Sequence, residues 1–591
     1  MKIKHLFGLA VIAAMTASCS SNEDLGTAGP GTGTNEAGVG YATFTINLPT
    51  TSGTRADGDP TYEQGTLDEY DVNDVTLLIF KKAGKSEDEY TFVDKAELGN
   101  MAPWKDENNS GGITASATIT AKLSNVALTS GDSPSDYYAL AILNNKNSKG
   151  EDKITLPTLP TLSTTPPVTY GDWNAASNAD EAKFKDNTKG FYMANAPVFV
   201  AGGEPTTLVN IDKVYATKQK AETNAATTIH VERGLAKVTV ASDDFTKTFN
   251  PSGTNYNKDE VKITAWNLDV TNKSTFPIHK TAGLKNTNFS TIWTPSTAAV
   301  STGASVARFV DEANPFKRVH WGIDPNYDTD LSKVSDCEGK FTILPANATI
   351  DGAADKPQYC LENTFDINHM KQGQTTRVVF KAKYKPKGFG DDETFYKIGN
   401  NTDLWSKTTL EEQIKAKAQE VLGKESETNK IEVKLDAAEN NIEKTAGTKI
   451  LTVENVQHNS ANVAPEEIKA INEKLGLKAA TESDPIVGIA TYASGESYYI
   501  ARIKHFGALT PWKEGQETYG INNEENNTKY LGRYGVLRNN WYELTVNSVS
   551  GPGTPDVPTI KPEEPDDESY KYISVSVKIL SWAKRSQKVD L

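Results

Sequence analysis

The chain has 591 residues, of which 37% are hydrophobic, and a formal net charge of −15. A chain of this length exceeds what one hydrophobic core usually holds, so the sequence predicts at least two domains. The acidic balance, without a Lys/Arg-rich segment, argues against nucleic acid as a partner.

The N-terminus has the pattern of an export signal. A short polar segment, residues 2–5, precedes ten apolar residues, 6–15, which are too few to span a bilayer. The next letters are "TASC", ending at Cys19, and small residues before a cysteine are typical of a bacterial lipobox, although Thr16 replaces the usual leucine. We therefore predict a lipoprotein signal peptide at 1–18 and lipid (palmitate) on Cys19. The alternative is an ordinary secretory signal.

A first strand is predicted at residues 41–49, "YATFTINLP". Its apolar residues alternate with polar ones and would share one face of a sheet; they are Ala42, Phe44, Ile46 and Leu48. The polar segment that follows, "TTSGTRADGDP", contains a lone arginine, Arg55, directly before Ala56. An exposed loop of this composition suits cleavage after Arg55 by a trypsin-like protease. The alternative is a β-turn with an incidental arginine.

Strands dominate the body of the chain. Segments rich in β-branched or aromatic residues lie between turn residues at 75–81, 137–145, 197–202, 236–242, 377–384, 497–505 and 542–549. Many short strands separated by turns favour β-sandwiches, so the predicted fold class is mostly β.

Two amphipathic helices are predicted among these strands. The first, residues 409–423, has a capping box from Thr409 to Glu412 and Gly423 as its stop. The second spans residues 464–476. Their apolar faces are formed by Leu410, Ile414, Val421 and Leu422 in the first and by Ile468, Ile471 and Leu475 in the second. We expect both helices to cover a sheet or to decorate a loop region of the second domain.

Two cysteines remain after Cys19, and they allow two interpretations. Cys337 and Cys360 are 23 positions apart. In an oxidising compartment a disulfide between them would contribute about 3 kcal/mol. Two buried free thiols are the alternative. The spacing matches no zinc or redox motif.

No catalytic motif is found. The histidines have no HExxH or other paired spacing, and no GxSxG or phosphate-binding loop is present. The segment "DPNYDTD", residues 324–330, brings three carboxylates together and could hold calcium, but it lacks the glycine and the downstream glutamate of an EF-hand, so a solvated turn is favoured. We therefore predict no enzyme, no cofactor and no metal site.

The C-terminal end repeats the pattern of the first strand. In "ISVSVKILSW", residues 573–582, Ile573, Val575, Val577 and Ile579 alternate with polar residues, and Trp582 follows. The segment before it contains five prolines between 552 and 565 and six acidic residues between 556 and 568. This composition predicts a stiff, extended, solvated spacer with a reach of roughly 60 Å.

Together these features predict a polymerisation mechanism. Cleavage after Arg55 would free the strand at 42–48 and expose unpaired backbone above an apolar floor, which favours the addition of another strand. The tail of a second copy matches that groove, and Trp582 would anchor it. Four inward side chains would contribute roughly 6 to 12 kcal/mol before entropy losses. Such a contact is head-to-tail and does not close, so it makes a filament.

A competing hypothesis is a monomeric surface lipoprotein whose sandwich domains bind glycans or host proteins. Trp512, Trp541 and Trp582 could stack on sugars, although a tryptophan is more often part of a core. A monomeric binder has no evident need for the tail. A hydrolase has no motif in its favour.

The chain resembles the Bacteroidales fimbrillins, or type V pilins, and in particular the major subunit of the short (minor) fimbriae. The matching segments are the lipobox at Cys19, "TRA" at Arg55 and Ala56, "FYMANAPV", "HVERGLAKVTV", "YCLENTF", "GVLRNNWYELTVNSVSGPG" and "SVKILSWAKRSQKVDL". The resemblance implies two transthyretin-like β-sandwich domains, a lipoprotein precursor, cleavage by an Arg-specific or trypsin-like protease, and donor-strand exchange through the C-terminal tail.

The resemblance also implies a place in a fibre. A chain with both a cleavable strand and a donor tail suits a shaft subunit that polymerises with copies of itself and with minor anchor and tip fimbrillins. The fibre would mediate adhesion and biofilm formation through host or bacterial surface ligands, and the precursor would be anchored by its lipid to the outer membrane. The expected division is a signal peptide (1–18), a propeptide (19–55), an N-terminal sandwich (56–235), a C-terminal sandwich with a helical insertion (236–551), and a linker with the tail (552–591).

Overall fold

The computed structural model describes residues 39–48, 69, 71–98, 116–130, 133–159, 167–176, 179–186, 190–198, 205–281, 318–366, 369–481, 485–505, 532, 534–566 and 573–581. Within this part of the chain no helix is both long and apolar enough to cross a membrane.

The first part of the chain is mainly strands. They are β1 (Gly40–Asn47), β2 (Val75–Lys81), β3 (Thr91–Glu97), β4 (Ser116–Leu123), β5 (Tyr137–Leu143), β6 (Lys185–Asp186), β7 (Gly190–Phe191), β8 (Met193–Asn195), β9 (Val209–Asn210) and β10 (Thr227–Arg233). The helices are short: α1 (Tyr170–Ala176), α2 (Glu181–Phe184) and α3 (Lys218–Glu222).

The second part continues with strands and the two longest of the described helices. Its strands are β11 (Leu235–Val240), β12 (Glu260–Asp269), β13 (Thr271–Asn272), β14 (Phe341–Thr342), β15 (Gln358–Leu361), β16 (Arg377–Lys385), β17 (Phe395–Ile398), β18 (Leu404–Trp405), β19 (Ile431–Val433), β20 (Gly447–Lys449), β21 (Val456–His458), β22 (Ala461–Asn462), β23 (Ile489–Tyr492), β24 (Glu496–Arg502), β25 (Asn540–Val549) and β26 (Ile573–Ser581). Its helices are α4 (Asp243–Thr246), α5 (Val334–Lys340), α6 (Lys407–Leu422) and α7 (Pro465–Lys474).

The mostly β prediction is confirmed, and the first sheet has eight strands. Its order is β3-β2-β5-β8-β10-β1-β4, with β9 paired to β5. The outer strands β3 and β4 approach each other, and Asp94 on β3 accepts the backbone N–H of Asn125, just after β4, at 3.1 Å. The sheet therefore curls around its own core. This core contains Phe44 and Ile46 from β1 and Leu77 and Ile79 from β2.

The opposite face of β2 is buried as well, which explains the uninterrupted apolar run of this strand. Leu78 and Phe80 pack in a second cluster that includes Tyr170 and Trp173 of α1. The same cluster extends to Leu235 at the start of β11. The apolar contact is therefore continuous from the first sheet into the next one.

The chain changes sheet at Gly234. The strand β10 ends at Arg233 in the eight-stranded sheet, and β11 begins at Leu235 in a four-stranded sheet of order β15-β11-β25-β26. A Cβ on Gly234 would lie 2.4 Å from the ring of Phe184, so a larger residue would force α2 away from this crossing. The four-stranded sheet shares one core with the three-stranded sheet β12-β16-β24, as in a β-sandwich.

The helical insertion has a core of its own. Leu410 and Ile414 of α6 and Ile468 and Ile471 of α7 pack with residues of the sheet β18-β17-β23-β20. The prediction that the helices cover a sheet is confirmed. Gly423 ends α6 at a φ of 88°, as predicted.

One local prediction is wrong, and a second is tested only at its first two residues. The capping box of α6 joins Ser406 and Thr409 rather than Thr409 and Glu412, because the helix begins at Lys407, one position after Ser406. Of the predicted strand at 197–202 only residues 197 and 198 are described; Val198 makes isolated bridges, and the preceding segment Met193–Asn195 forms β8.

Candidate strand-exchange site

The first strand, β1, lies between two neighbouring strands, β10 and β4, in its sheet. It pairs antiparallel with β4 from Gly40↔Leu123 to Asn47↔Ser116. On its other side it pairs parallel with β10 from Phe44↔Thr227 to Asn47↔His230. Removing β1 would therefore leave the facing backbone groups of both neighbours without partners, and such groups are costly to leave unpaired.

The two faces of β1 differ as the alternation predicts. The inward side chains Ala42, Phe44, Ile46 and Leu48 are 1%, 0%, 0% and 2% exposed. On the other face Thr43 and Thr45 share hydrogen bonds with Thr120 at 2.9 Å and Thr118 at 3.0 Å. The vacated position would thus have an apolar floor and a row of threonine hydroxyls along β4. That β1 is displaced stays a prediction.

The proposed processing residues lie outside the described part of the chain. They are Cys19, Arg55 and Ala56; the candidate binding or anchoring residues Trp512 and Trp582 lie outside it as well. Two other arginines that would compete for a trypsin-like protease, Arg233 and Arg538, are only 2% and 3% exposed. A protease that needs an exposed loop is therefore denied these two sites.

The tail strand has a partner in its own chain. The strand β26 pairs antiparallel with β25 from Asn540↔Ser581 to Val549↔Ile573, with a bulge between Val546 and Ser548. Within the described part of the chain it forms the outer strand of the four-stranded sheet, paired on its β25 side. No strand among the described residues pairs with its other side, which could therefore accept a further strand.

The prediction of a free solvated spacer is wrong for residues 552–566. Val557 and Ile560 are 1% and 4% exposed, and the N–H of Val557 donates to the carbonyl of Ala346 at 3.1 Å. Thr554 exchanges two backbone hydrogen bonds of 2.9 Å with Tyr498. Proline lacks the backbone N–H donor but keeps its carbonyl acceptor, so a proline-rich segment can still form hydrogen bonds with the body of the protein. Here the guanidinium of Arg377 donates to the carbonyl of Pro558.

The docked linker ends close to the tail strand. The N–H of Gln372 donates to the carbonyl of Glu564 at 2.9 Å, and the N–H of Asp566 donates to the carbonyl of Met370 at 3.1 Å. Only residues 567–572 separate Asp566 from β26. A segment of this length spans about 25 Å when extended, far less than the predicted reach.

The disulfide alternative for the two cysteines is wrong. Cys337 and Cys360 are free and buried. They pack in separate clusters, Cys337 beside Phe341 and Ile560, and Cys360 in the core of the C-terminal sandwich. Burial raises the pKa of the Cys337 thiol to about 11, so it is protonated and unreactive at neutral pH.

The calcium interpretation of residues 324–330 is not supported. Asp324 points into the protein and accepts a hydrogen bond of 2.7 Å from Asn272, and burial raises the pKa of its carboxyl to about 7. Asp328 and Asp330 are exposed, and Asp330 pairs with His369 at 3.1 Å. Among the described residues no group of three or more His, Cys, Asp or Glu side chains could hold a metal ion.

The described tryptophan offered as a sugar platform is a packing residue. Trp541 is 9% exposed, and its indole N–H donates to the hydroxyl of Thr239 at 2.8 Å. The ammonium of Lys237 lies 3.7 Å from the centre of its ring. The ring face that a sugar would need is therefore occupied.

A buried ionic network at the junction of the two sheets was missed by the sequence analysis, which treated the histidines as isolated. Glu232 pairs with Arg318 and accepts a bond of 2.8 Å from Nδ1 of His279. Nε2 of His279 lies 3.6 Å from Glu362, whose other oxygen accepts a bond of 2.8 Å from Arg538. Three segments that carry the family resemblance each supply one of these charges, but no local pattern shows that the charges pair.

This network makes the stability of the protein sensitive to acid. Burial alone would raise the pKa of Glu232, but Arg318 and His279 outweigh it and lower that pKa to about 2, from 4.5. The pairing then contributes about 3 kcal/mol that is fully present above pH 4.5 and is lost as the pH falls towards 2. We expect the free energy of unfolding, measured with urea at pH 7, 4.5 and 3, to fall over this window.

The matched variants isolate this contribution. Glu232→Gln leaves Arg318 and His279 buried without their counter-charge, so it should cost about 3–5 kcal/mol at pH 7 and flatten the acid dependence. Glu473→Gln, on the exposed face of α7, should keep the wild-type profile. An unchanged slope in Glu232→Gln would contradict the assignment of the acid sensitivity to this network.

Comparison with known proteins gives one family match. Residues 490–588, which include β24, β25 and β26, match the family described as major fimbrial subunit protein type IV, fimbrillin, C-terminal. This confirms the resemblance to fimbrillins over that region, and the family description is of a structural subunit rather than an enzyme. A comparison with curated proteins gives no match.

Three solved structures have chains similar to this one. A candidate cell adhesion protein of Parabacteroides distasonis is 11% identical, with 93% of this chain and 98% of that chain covered and a TM-score of 0.36. A candidate cell adhesion protein of Bacteroides eggerthii is 13% identical, with coverage of 93% and 98% and a TM-score of 0.32. The tip fimbrial protein Mfa3 of Porphyromonas gingivalis is 11% identical, with coverage of 92% and 100% and a TM-score of 0.28.

Proposed function

We propose, from the match of the C-terminal region to the fimbrillins, that this chain is a structural shaft subunit of a surface fimbria. It is exported as a lipoprotein precursor, anchored to the outer membrane by lipid on Cys19, cut after Arg55 by an Arg-specific or trypsin-like protease, and polymerised by donor-strand exchange. Its partners are copies of itself and the other subunits of the fimbria. The fibre serves adhesion and biofilm formation through surface ligands.

The observation that carries the proposal is the contrast between β1 and β26. The strand β1 precedes the proposed cut and is paired on both sides, whereas among the described residues β26 pairs with β25 alone. A tail that leaves β25 loses one ladder of hydrogen bonds. Inserted between β4 and β10 of another copy it gains two. Exchange is therefore favourable once β1 has left.

The residues of the two strands correspond when the tail runs in the direction of β1. Ile573, Val575, Val577 and Ile579 then take the places of Ala42, Phe44, Ile46 and Leu48. Ser574 and Ser576 take the places of Thr43 and Thr45, so their hydroxyls lie opposite Thr120 and Thr118 as in β1. Cross-strand hydroxyl pairs of this kind help to fix the register.

The docked linker limits the geometry of the fibre. If residues 552–566 stay docked, the tail begins within about 25 Å of Asp566, so the groove of the next subunit must lie close by. Contacts between neighbouring bodies then add to the strand exchange. We also propose that the precursor is divided into a propeptide (19–55), two sandwiches (56–235 and 236–551) and a donor tail.

Limited digestion tests the proposal. The chain from residue 20 onward is treated with trypsin, and intact mass and particle size are measured before and after. We expect one early cut, after Arg55, followed by a ladder of oligomers that resists mild detergent. Arg55→Ala should stay uncut there and monomeric. A wild-type chain that is cut after Arg55 and stays monomeric would instead support the surface lipoprotein that binds glycan or host protein.

A further inference from the structure

Glu69 lies fourteen positions after Arg55 and is fully buried, at 0% exposure. One carboxylate oxygen accepts a hydrogen bond of 2.6 Å from the hydroxyl of Tyr359 and lies 2.9 Å from the ammonium of Lys237. The other oxygen is 3.2 Å from the same ammonium. Its backbone carbonyl accepts a bond of 2.5 Å from the guanidinium of Arg233. A short segment of chain is thus held by both its side chain and its backbone.

The side chains that hold the carboxylate of Glu69 belong to the other side of the junction, whereas Arg233, which holds its carbonyl, ends β10 of the N-terminal sheet. Lys237 is on β11 and Tyr359 is on β15, both in the four-stranded sheet of the C-terminal sandwich. The ammonium of Lys237 is also fixed over the ring of Trp541 on β25. Glu69, by contrast, precedes the first residue of β2, in the N-terminal sheet, by six positions. The contact therefore ties the start of the N-terminal sheet to the C-terminal sheet.

Glu69 lies between the proposed cut after Arg55 and the first residue of β2, so its contacts act on the part of the chain that follows the cut. Before cleavage, the segment around Glu69 is continuous with β1 on one side and β2 on the other. After cleavage the new N-terminus is Ala56, thirteen positions before Glu69, and the segment is no longer covalently joined to β1. Among the described residues Glu69 is the first one fixed after Arg55, and Asp71, whose carbonyl accepts a bond of 2.7 Å from Asn144, comes next.

We propose that Glu69 is a positioning residue for strand exchange, which fastens the segment that follows the new N-terminus to the C-terminal sheet so that only the place of β1 opens. The inference rests on the proposed function, because it needs the cut after Arg55. Without this contact the chain would fray towards Val72, which is 0% exposed and belongs to the same core as Phe44 and Ile46. The floor that receives the tail would then lose one of its own side chains.

The role predicts an effect that depends on the cut. In Glu69→Gln, the amide can keep the bond to Tyr359, but the ion pair with Lys237 is lost. We expect amide hydrogen exchange at residues 71–74, followed by mass spectrometry, to change little in the uncut protein, where β1 still restrains the segment. In the cut protein we expect this exchange to be at least about 10-fold faster than in the cut wild type.

A control and a second variant keep the test decisive. Glu97→Gln removes an exposed ion-pairing carboxylate on β3 in the same sheet and should leave the exchange unchanged in both forms. If Glu69→Gln does not fold because the buried Lys237 has lost the counter-charge of Glu69, the double variant Glu69→Gln/Lys237→Met removes both charges, a change that is often neutral for stability. It should fold and still show the faster exchange after the cut.

The outcomes separate this inference from the proposed function. Equal protection of residues 71–74 in the cut wild type and the cut variants would overturn the role of Glu69, whether or not the wild type polymerises. A wild type that is cut and stays monomeric would overturn the strand-exchange proposal and leave the exchange comparison valid. Faster exchange of the variant before the cut, to the same degree as after it, would show a merely structural contact and would also overturn the inference.

Discussion

Replacing Phe44 with alanine is expected to destabilise the uncut protein by about 3–5 kcal/mol and to leave the assembled polymer unchanged. Phe44 is 0% exposed in the core of the N-terminal sheet, and truncating a buried phenylalanine costs this much because it leaves a cavity. In the polymer the residue is gone with the propeptide. Urea unfolding of the uncut protein and the temperature at which the polymer dissociates in detergent measure the two effects.

The control for this prediction lies on the other face of the same strand. Thr45→Ala removes the hydroxyl that bonds to Thr118 at the exposed side of β1, and it should cost no more than about 1 kcal/mol in the uncut protein. If the Phe44→Ala polymer is destabilised as much as the uncut Phe44→Ala protein, β1 must still be in its place in the polymer. That result would contradict strand exchange.

Replacing Val577 with aspartate is expected to abolish polymerisation and to leave the cut after Arg55 intact. In the proposed register Val577 takes the place of Ile46, which is 0% exposed, so the variant would bring an unpaired carboxylate into an apolar site at a cost of several kcal/mol. Lys578→Asn is the matched control, because Asn47 occupies the corresponding position of β1. It should polymerise like the wild type.

The same variant tests the direction of assembly. A cut Val577→Asp subunit keeps its acceptor groove but cannot donate its tail, so in a head-to-tail fibre it ends growth at one end. Small amounts mixed with the wild type should shorten the fibres in proportion to the fraction added, as measured by electron microscopy. Fibres of unchanged length, or polymers made of the variant alone, would contradict donation through the tail.

The sequence predicted the strands better than their surroundings. The alternation in residues 41–49 gives both the extent of β1 and the burial of its four inward side chains, because a period of two is a local property of an extended backbone. The two helices and the stop at Gly423 were also predicted, because helical periodicity and a glycine at a helix end are local features of the sequence as well. The capping box of α6 was misplaced by three positions, because Thr409 and Glu412 match the usual sequence pattern of a capping box, whereas Ser406 and Thr409, which form it, do not.

For the linker, the prediction made from amino-acid composition was wrong. Prolines and acidic residues indicated a free spacer, yet residues 552–566 lie docked on the body, because Val557 and Ile560 find apolar sites and the carbonyl of Pro558 meets Arg377. Those sites are built from residues distant in sequence. Composition describes how a segment behaves alone and does not report what the rest of the chain offers it.

By itself the sequence determined the mostly β class, the export pattern, the two alternating strands and the fimbrillin resemblance, all of which are local in the chain. Only the tertiary structure decided that β1 lies between β4 and β10, that the tail rests on β25, and that Glu232, Glu69 and their partners form buried ionic contacts. Glu69 and Lys237 are 168 positions apart, and Arg538 and Glu362 are 176 apart. Such pairs form only when folding removes water from both charges at once, and no local spacing encodes that event.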